Sequence, residues 1–184
     1  MKHKEALLII DIQNDYFSGG AYPLVNPEIA AQNTKQLLDQ FRGQKNQIVH
    51  VQHIADQPGA TFFLPETNGA KIHPDVFPEA GEKVIVKHKP NSFQETDLLY
   101  YLKGHGITHL VVCGMMTQIC VDSTVRAAKD YGFEITLIAD ACATLDLEFQ
   151  GVVTKAQQVQ ASFVSSLQFF YANVITAHQY LINS

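Results

Sequence analysis

The feature that most constrains this chain is an alternation. Short apolar runs rich in β-branched residues recur between longer stretches of helical period, which predicts parallel strands joined by crossover helices and hence an α/β fold. Candidate strands cover 6–10, 47–52, 83–86, 109–113, 134–138 and 173–175. A first helix starts at Asn26-Pro27-Glu28, where Asn can cap and Pro suits the first turn, and runs to about Arg42 with Gly43 as its stop. Further helices are expected from 92–96 to Lys103-Gly104 with Leu98, Leu99 and Leu102 on one face, and from 119 to 131 closed by Gly132. The 148–170 segment has helical period, and a short helix is expected from Thr176 onward.

Length and charge narrow the classes. The 184 residues suit one domain over 1–184, which at this size buries roughly 70% of its unfolded surface. With 13 basic and 18 acidic residues scattered without blocks, no stripe is available to neutralise phosphates, so nucleic acid is not an expected partner. The apolar run at 6–10 is too short for a signal-peptide core or a membrane span. A soluble cytoplasmic protein is expected. Cys113, Cys120 and Cys142 form neither an even set nor a Cys-x-x-Cys pair, which reads as free thiols in a reducing compartment.

In open parallel sheets ligands bind beyond the carboxyl ends of the strands, so chemistry is sought there. The first strand ends in Asp11, the third in Lys87, and the fourth runs into Gly114-Met115-Met116-Thr117-Gln118-Ile119-Cys120. Cys120 would stand in the first turn of the third helix, where unpaired N–H groups and the macrodipole favour thiolate. By itself, a cysteine there reads first as a small buried hydrophobe. Asp11 suits a base or an acceptor of loop N–H groups, with Asp15 as its local competitor; Lys87 suits either a charge beside the thiol or a surface lysine, a role that fits Lys89 better. Between the second and third strands, residues 56–82 carry Pro58, Pro65, Pro74 and Pro78 with little periodicity, which suggests a lid, a pocket wall or a subunit contact built with Phe62, Phe63 and Phe77.

These residues carry a resemblance. Asp11-Ile12-Gln13-Asn14-Asp15, Lys87 ahead of Asn91-Ser92-Phe93 and Thr96-Asp97-Leu98, and Gly114 through Val121 resemble three signature blocks of the isochorismatase-like hydrolases. Asp140-Ala141-Cys142-Ala143-Thr144 is similar to the segment after that superfamily's fifth strand. The resemblance implies a three-layer αβα sandwich around a six-stranded parallel sheet, and a catalytic triad of Asp11, Lys87 and Cys120. It also implies a cis peptide between Met115 and Met116, and an oxyanion site formed by the Met116 and Cys120 amides. The activity implied is cysteine-dependent hydrolysis of a small-molecule amide through a thioester.

The isochorismatases proper cleave a vinyl ether and lack a cysteine at this position. Nicotinamidases, another reading, bind a metal through an aspartate and histidines after the second strand; here His50, His53 and Asp56 lack the Asp-x-His arrangement, so no metal and no cofactor are expected. A silent module that binds a small anion at the Gly114 loop is the reading from another class. Pocket walls are expected from Tyr16, Phe17, Phe62, Phe63 and Gln118. Apolar Val159, Phe163, Leu167 and Phe170 suggest a homodimer or homotetramer.

Overall fold

The computed structural model describes residues 4–183. Its elements run β1 (Glu5–Ile10), α1 (Pro27–Gln44), β2 (Gln47–His53), β3 (Lys83–Lys87), α2 (Leu98–Gly104), β4 (His109–Met115), α3 (Asp122–Asp130), β5 (Glu134–Ala143), β6 (Leu147–Phe149), β7 (Val152–Thr154), α4 (Ala156–Phe170), β8 (Asn173–Ile175) and α5 (Ala177–Asn183). Six strands form one sheet in the order β3-β2-β1-β4-β5-β8, with every neighbouring pair parallel. Strands β1, β2, β4 and β5 have both faces covered, which explains their continuous apolar runs. On one face Leu37, Leu38 and Phe41 of α1 pack with Ala177 and Tyr180 of α5. The opposite face is covered by Leu98 and Leu102 of α2, Val125 and Ala128 of α3, and Leu167 of α4. The result is the three-layer αβα sandwich expected. No helix among the described residues is long and apolar enough to cross a membrane.

Because the chain builds outward from β1 to β3 and then returns to lay β4 against the other edge of β1, the strand order reverses between β1 and β4. The two strands approach closely at their carboxyl ends, where Gly114 pairs with Ile10. Gly114 has φ +134°, and a Cβ there would collide with the Ile10 backbone. Gly114→Ala should therefore cost about 3 kcal/mol or more. That corresponds to a fall of roughly 10 °C in the thermal midpoint, measured by circular dichroism. An unchanged midpoint would mean that β1 and β4 can part without loss.

Several boundaries differ from the sequence reading. Helix α1 runs through Gly43, and Lys45 closes it in the left-handed region, with its N–H on Arg42 O. Asn26, itself left-handed, makes no side-chain cap. Helix α2 starts only at Leu98 because Ser92 is buried against Thr124, with 2.9 Å between their hydroxyls, and Thr96 donates to Ser92 O. The stretch read as one helix over 148–170 is a β6-β7 hairpin followed by α4. Gln150 and Gly151 both have positive φ, which suits a tight hairpin turn. The Asp140-Ala141-Cys142-Ala143 segment extends β5 rather than following it. Val159 and Leu167 are buried within this chain, so they offer nothing to a partner, whereas Phe169 and Phe170 are exposed.

Candidate active site

Asp11, Lys87 and Cys120 meet at the reversal point. Asp11 leaves β1 with φ 51°, its N–H held by Val51 O at 3.1 Å, and its side chain is fully buried. A non-glycine residue in that conformation is uncommon and marks a carboxylate aimed by its surroundings. Lys87 ends β3, is equally buried, and places Nζ 2.8 Å from Asp11 Oδ2. The ammonium also donates to Lys89 O at 3.0 Å and Pro90 O at 3.2 Å, and lies 3.1 Å from His53 Nδ1. Beyond the ion pair, neither Asp11 oxygen accepts a well-directed hydrogen bond among the described residues. Its lone pairs remain open toward Cys120, whose Sγ lies within 4.8 Å of a carboxylate oxygen.

Cys120 sits in a wide π-helical turn, Thr117–Val121, that precedes α3, instead of in a first α-helical turn. The turn follows a cis Met115–Met116 peptide and is tied down by Thr117 Oγ1, which contacts Gln160 Oε1 at 2.6 Å and Ala143 O at 3.2 Å. The electrostatics correct the expectation of a depressed thiol. Burial, and then the Asp11 charge, push Cys120 up to about 12 against the pull of Lys87. The resting side chain is a thiol. Burial works against the Lys87 ammonium, but Asp11 and Cys120 outweigh it, so its pKa is raised and it stays charged. Tyr16 is raised well above its ordinary value by burial and by Cys120 and Asp11, so its phenol is neutral.

A cavity of about 390 Å³ opens over Cys120. Tyr16, Phe62 and Phe63 form an aromatic wall, with Phe63 edge-on to Tyr16 at 4.7 Å. His53, His88, Lys89 and Pro90 form the facing wall, and Met116 and Ile119 complete it. A larger groove of about 600 Å³, lined by Asp140, Cys142, Thr144 and Lys155, contains none of the three convergent residues. Volume alone would choose the wrong site.

The 56–82 loop is a stitched wall. Asp15, the local competitor of Asp11, accepts from Phe63 N at 2.6 Å and Ala21 N at 3.0 Å, and a Cβ at Gly69 would collide with its carboxylate. Gln13, fully buried, donates to Ala70 O and His53 O and accepts from His53 N at 2.7 Å. The loop therefore presents Phe62 and Phe63 to the cavity in fixed positions, while Phe77 faces solvent.

Two expected wall residues are elsewhere. Phe17 stacks on His73, with 3.8 Å between ring centroids, and Gln118 accepts from Thr144 Oγ1 at 2.6 Å. Neither borders the cavity. Sequence reasoning missed His88, Lys89 and Pro90 as wall residues, although they directly follow the Lys87 strand end. It assigned Lys89 to open surface, where it does form a 3.4 Å ion pair with Asp56 at the cavity rim.

Asp11, His53 and Cys120 also offer three metal-type donors within 4.8 Å of one another. The set does not fit a divalent ion, because the Lys87 ammonium already sits against Asp11 and His53 and would repel one. His50 is directed elsewhere, to Glu82 Oε2 at 2.9 Å, so the two histidines of β2 do not converge.

Comparison with known proteins identifies the family. The isochorismatase family protein YddQ of Bacillus subtilis is 47% identical over 96% of this chain and 98% of its own length. A structure described as an isochorismatase hydrolase from Oleispira antarctica superposes with a TM-score of 0.95 at 48% identity, covering 100% of this chain and 98% of the other. A streptothricin hydrolase of Streptomyces noursei is 35% identical over 78% of this chain and 51% of its own length. The family model for the isochorismatase domain matches residues 5–168, and the chain belongs to the isochorismatase family of hydrolases.

Proposed function

We propose that the protein hydrolyses the C–N bond of a small-molecule amide through a thioester on Cys120. The observation that carries this reading is the buried Lys87–Asp11 ion pair, whose carboxylate lone pairs face a thiol at the floor of an aromatic-walled cavity. Substrate binding excludes water, and Asp11 accepts the Cys120 proton as Sγ attacks the carbonyl carbon. Lys87 stabilises the thiolate character that develops, and it cannot act as a base because it stays an ammonium. The Met116 and Cys120 amides donate to the tetrahedral oxyanion. Asp11 then passes the proton to the departing nitrogen as the C–N bond breaks. A water molecule attacks the thioester with Asp11 as base, the C–S bond breaks, and the proton returns to sulfur as the carboxylic acid leaves. No step needs a cofactor.

Amide chemistry is favoured over vinyl-ether cleavage because it uses the cysteine. The relative named as a hydrolase of streptothricin supports hydrolytic activity without naming this chain's substrate. Rapid quench of a panel of small amides, carbamates and nicotinamide, followed by intact mass spectrometry, should catch one acyl adduct, mapped to Cys120. A substrate turned over with no adduct even at millisecond quench would argue for direct attack by water. Self-association is part of the proposal: Phe149, Val152, Phe169 and Phe170 stand exposed on the surface. Size-exclusion chromatography with light scattering should return at least twice the 20.5 kDa chain mass, and a monomer would remove that element.

A further inference from the structure

We propose that His53 is a specificity-determining residue whose Nε2–H is a fixed donor for an acceptor atom on the carbon next to the substrate's scissile carbonyl. The inference rests on acyl transfer at Cys120 and adds which acyl groups the cavity prefers.

His53 is the last residue of β2, and its backbone is pinned on both sides by Gln13, which accepts from its N–H at 2.7 Å and donates to its carbonyl at 2.9 Å. Its ring lines the cavity and packs against Phe63 with 5.8 Å between centroids. The contact of Nδ1 with Lys87 Nζ at 3.1 Å fixes the tautomer. The three ammonium protons are shared among Asp11, the Lys89 and Pro90 carbonyls and Nδ1, and an Nδ1–H would turn its own proton against the cation, so Nδ1 presents its lone pair and the single ring proton resides on Nε2. Burial and the Lys87 charge lower the ring's pKa, which keeps it neutral. Among the described residues Nε2 has no hydrogen-bond partner, and it is not one of the sealed polar atoms that lack a hydrogen bond, which are the two Asp11 oxygens, ion-paired to Lys87, and His50 Nδ1.

This arrangement leaves His53 one role. It cannot take a proton at Nδ1 without displacing Lys87, and Nε2 is already protonated, so it is neither the base nor a shuttle. A ring nitrogen lies within 4.8 Å of Cys120 Sγ. The ring borders the cavity over Cys120, and in the proposed pose an acceptor two bonds from an acyl carbon on that sulfur stands at hydrogen-bond distance, about 2.9 Å, from Nε2. His88 Nδ1 is committed at 2.8 Å from Ile54 O, and Lys89 pairs with Asp56 at the exposed rim. Gln57 and the Tyr16 phenol also border the cavity, but His53 is the polar wall group held by both Gln13 and Lys87, so it supplies the directional contact that is set before substrate arrives.

The test uses two esters of matched shape, p-nitrophenyl methoxyacetate and p-nitrophenyl butyrate, which differ by an ether oxygen in place of a methylene. Sulfur bonds to the acyl carbon, the ester C–O bond breaks, p-nitrophenolate leaves and the thiol proton passes through Asp11 to solvent. The rate is read from p-nitrophenolate release, and the adduct on Cys120 from intact mass. Relative to wild type, His53→Leu should lower the ratio of the methoxyacetyl to the butyryl rate by roughly five- to tenfold, the worth of one hydrogen bond, on top of whatever loss both esters share once the Lys87 contact is gone. His53→Gln, which keeps an acceptor and a donor, should restore part of the preference. Equal effects on both esters would overturn the proposal while leaving the acyl-enzyme intact; absence of any Cys120 adduct in wild type would instead remove the proposed function. Independently of turnover, long-range proton–nitrogen NMR of wild type at neutral pH should show His53 as the Nε2–H tautomer. A Nδ1–H tautomer or an imidazolium would overturn the inference even if the variants failed to fold.

Discussion

Cys120→Ala and Cys120→Ser should each lower amide turnover by on the order of 10⁵-fold, the scale expected when a covalent nucleophile that acts as part of a unit is removed. Alanine removes the atom that carries the acyl group. Serine keeps an oxygen there, but in this buried site Asp11 would have to deprotonate an alcohol, a much weaker acid than the thiol, and the Lys87 charge does not close that gap. The fold should survive both changes. Cys120 is 5% exposed and the substitution removes or replaces one atom, so a cost of about 1 kcal/mol and a midpoint shift of roughly 3 °C are expected. Steady-state kinetics on the best amide and melting by circular dichroism are read together. Turnover within a hundredfold of wild type in a folded Cys120→Ala protein would mean that the covalent route is wrong.

Much of this site was legible because its chemistry stands where the topology requires it. Asp11 and Lys87 directly end apolar strands, and Cys120 follows the fourth strand by one turn, so a rule about strand ends put all three forward, and the resemblance to the isochorismatase-like hydrolases favoured them over their structural alternatives. What the sequence could not show was burial. A cysteine at a helix start suggests a lowered pKa, yet the same residue enclosed by Tyr16 and Met116 beside a carboxylate is pushed the other way. The same gap separates Phe62 from Phe17: both are loop phenylalanines, and only the hydrogen bonds of Asp15 and Gln13 decide which one faces the cavity. His53 stands at the end of the second strand, but its tautomer follows from a lysine 34 residues away. The β6-β7 hairpin was lost for a local reason. Leu147, Phe149, Val152 and Val153 fit a helical period about as well as an alternating one, and Gly151 is the lone turn signal between them.

Asp11→Asn and Lys87→Met should both abolish hydrolysis yet move the reactivity of the Cys120 thiol in opposite directions. In the folded protein burial and Asp11 raise the thiol's pKa while Lys87 lowers it. Asparagine removes a raising influence and leaves the cation, so at pH 8 a larger fraction of Cys120 becomes thiolate. Each unit of decrease raises that fraction about tenfold and costs about threefold in intrinsic nucleophilicity, so alkylation by iodoacetamide should quicken roughly threefold per unit. Methionine at position 87 removes the lowering influence, and alkylation should slow below the wild-type rate. It also leaves the Asp11 carboxylate buried without its counterion, which should cost about 3–5 kcal/mol of stability. Peptide mapping keeps the readout on Cys120, because Cys113 and Cys142 are buried and raised as well. Structural damage alone predicts faster labelling in both variants, as opening the site exposes the thiol. Slower labelling in Asp11→Asn would mean that the carboxylate does not hold the resting proton on sulfur, and the assignment of Asp11 as the base would fall with it.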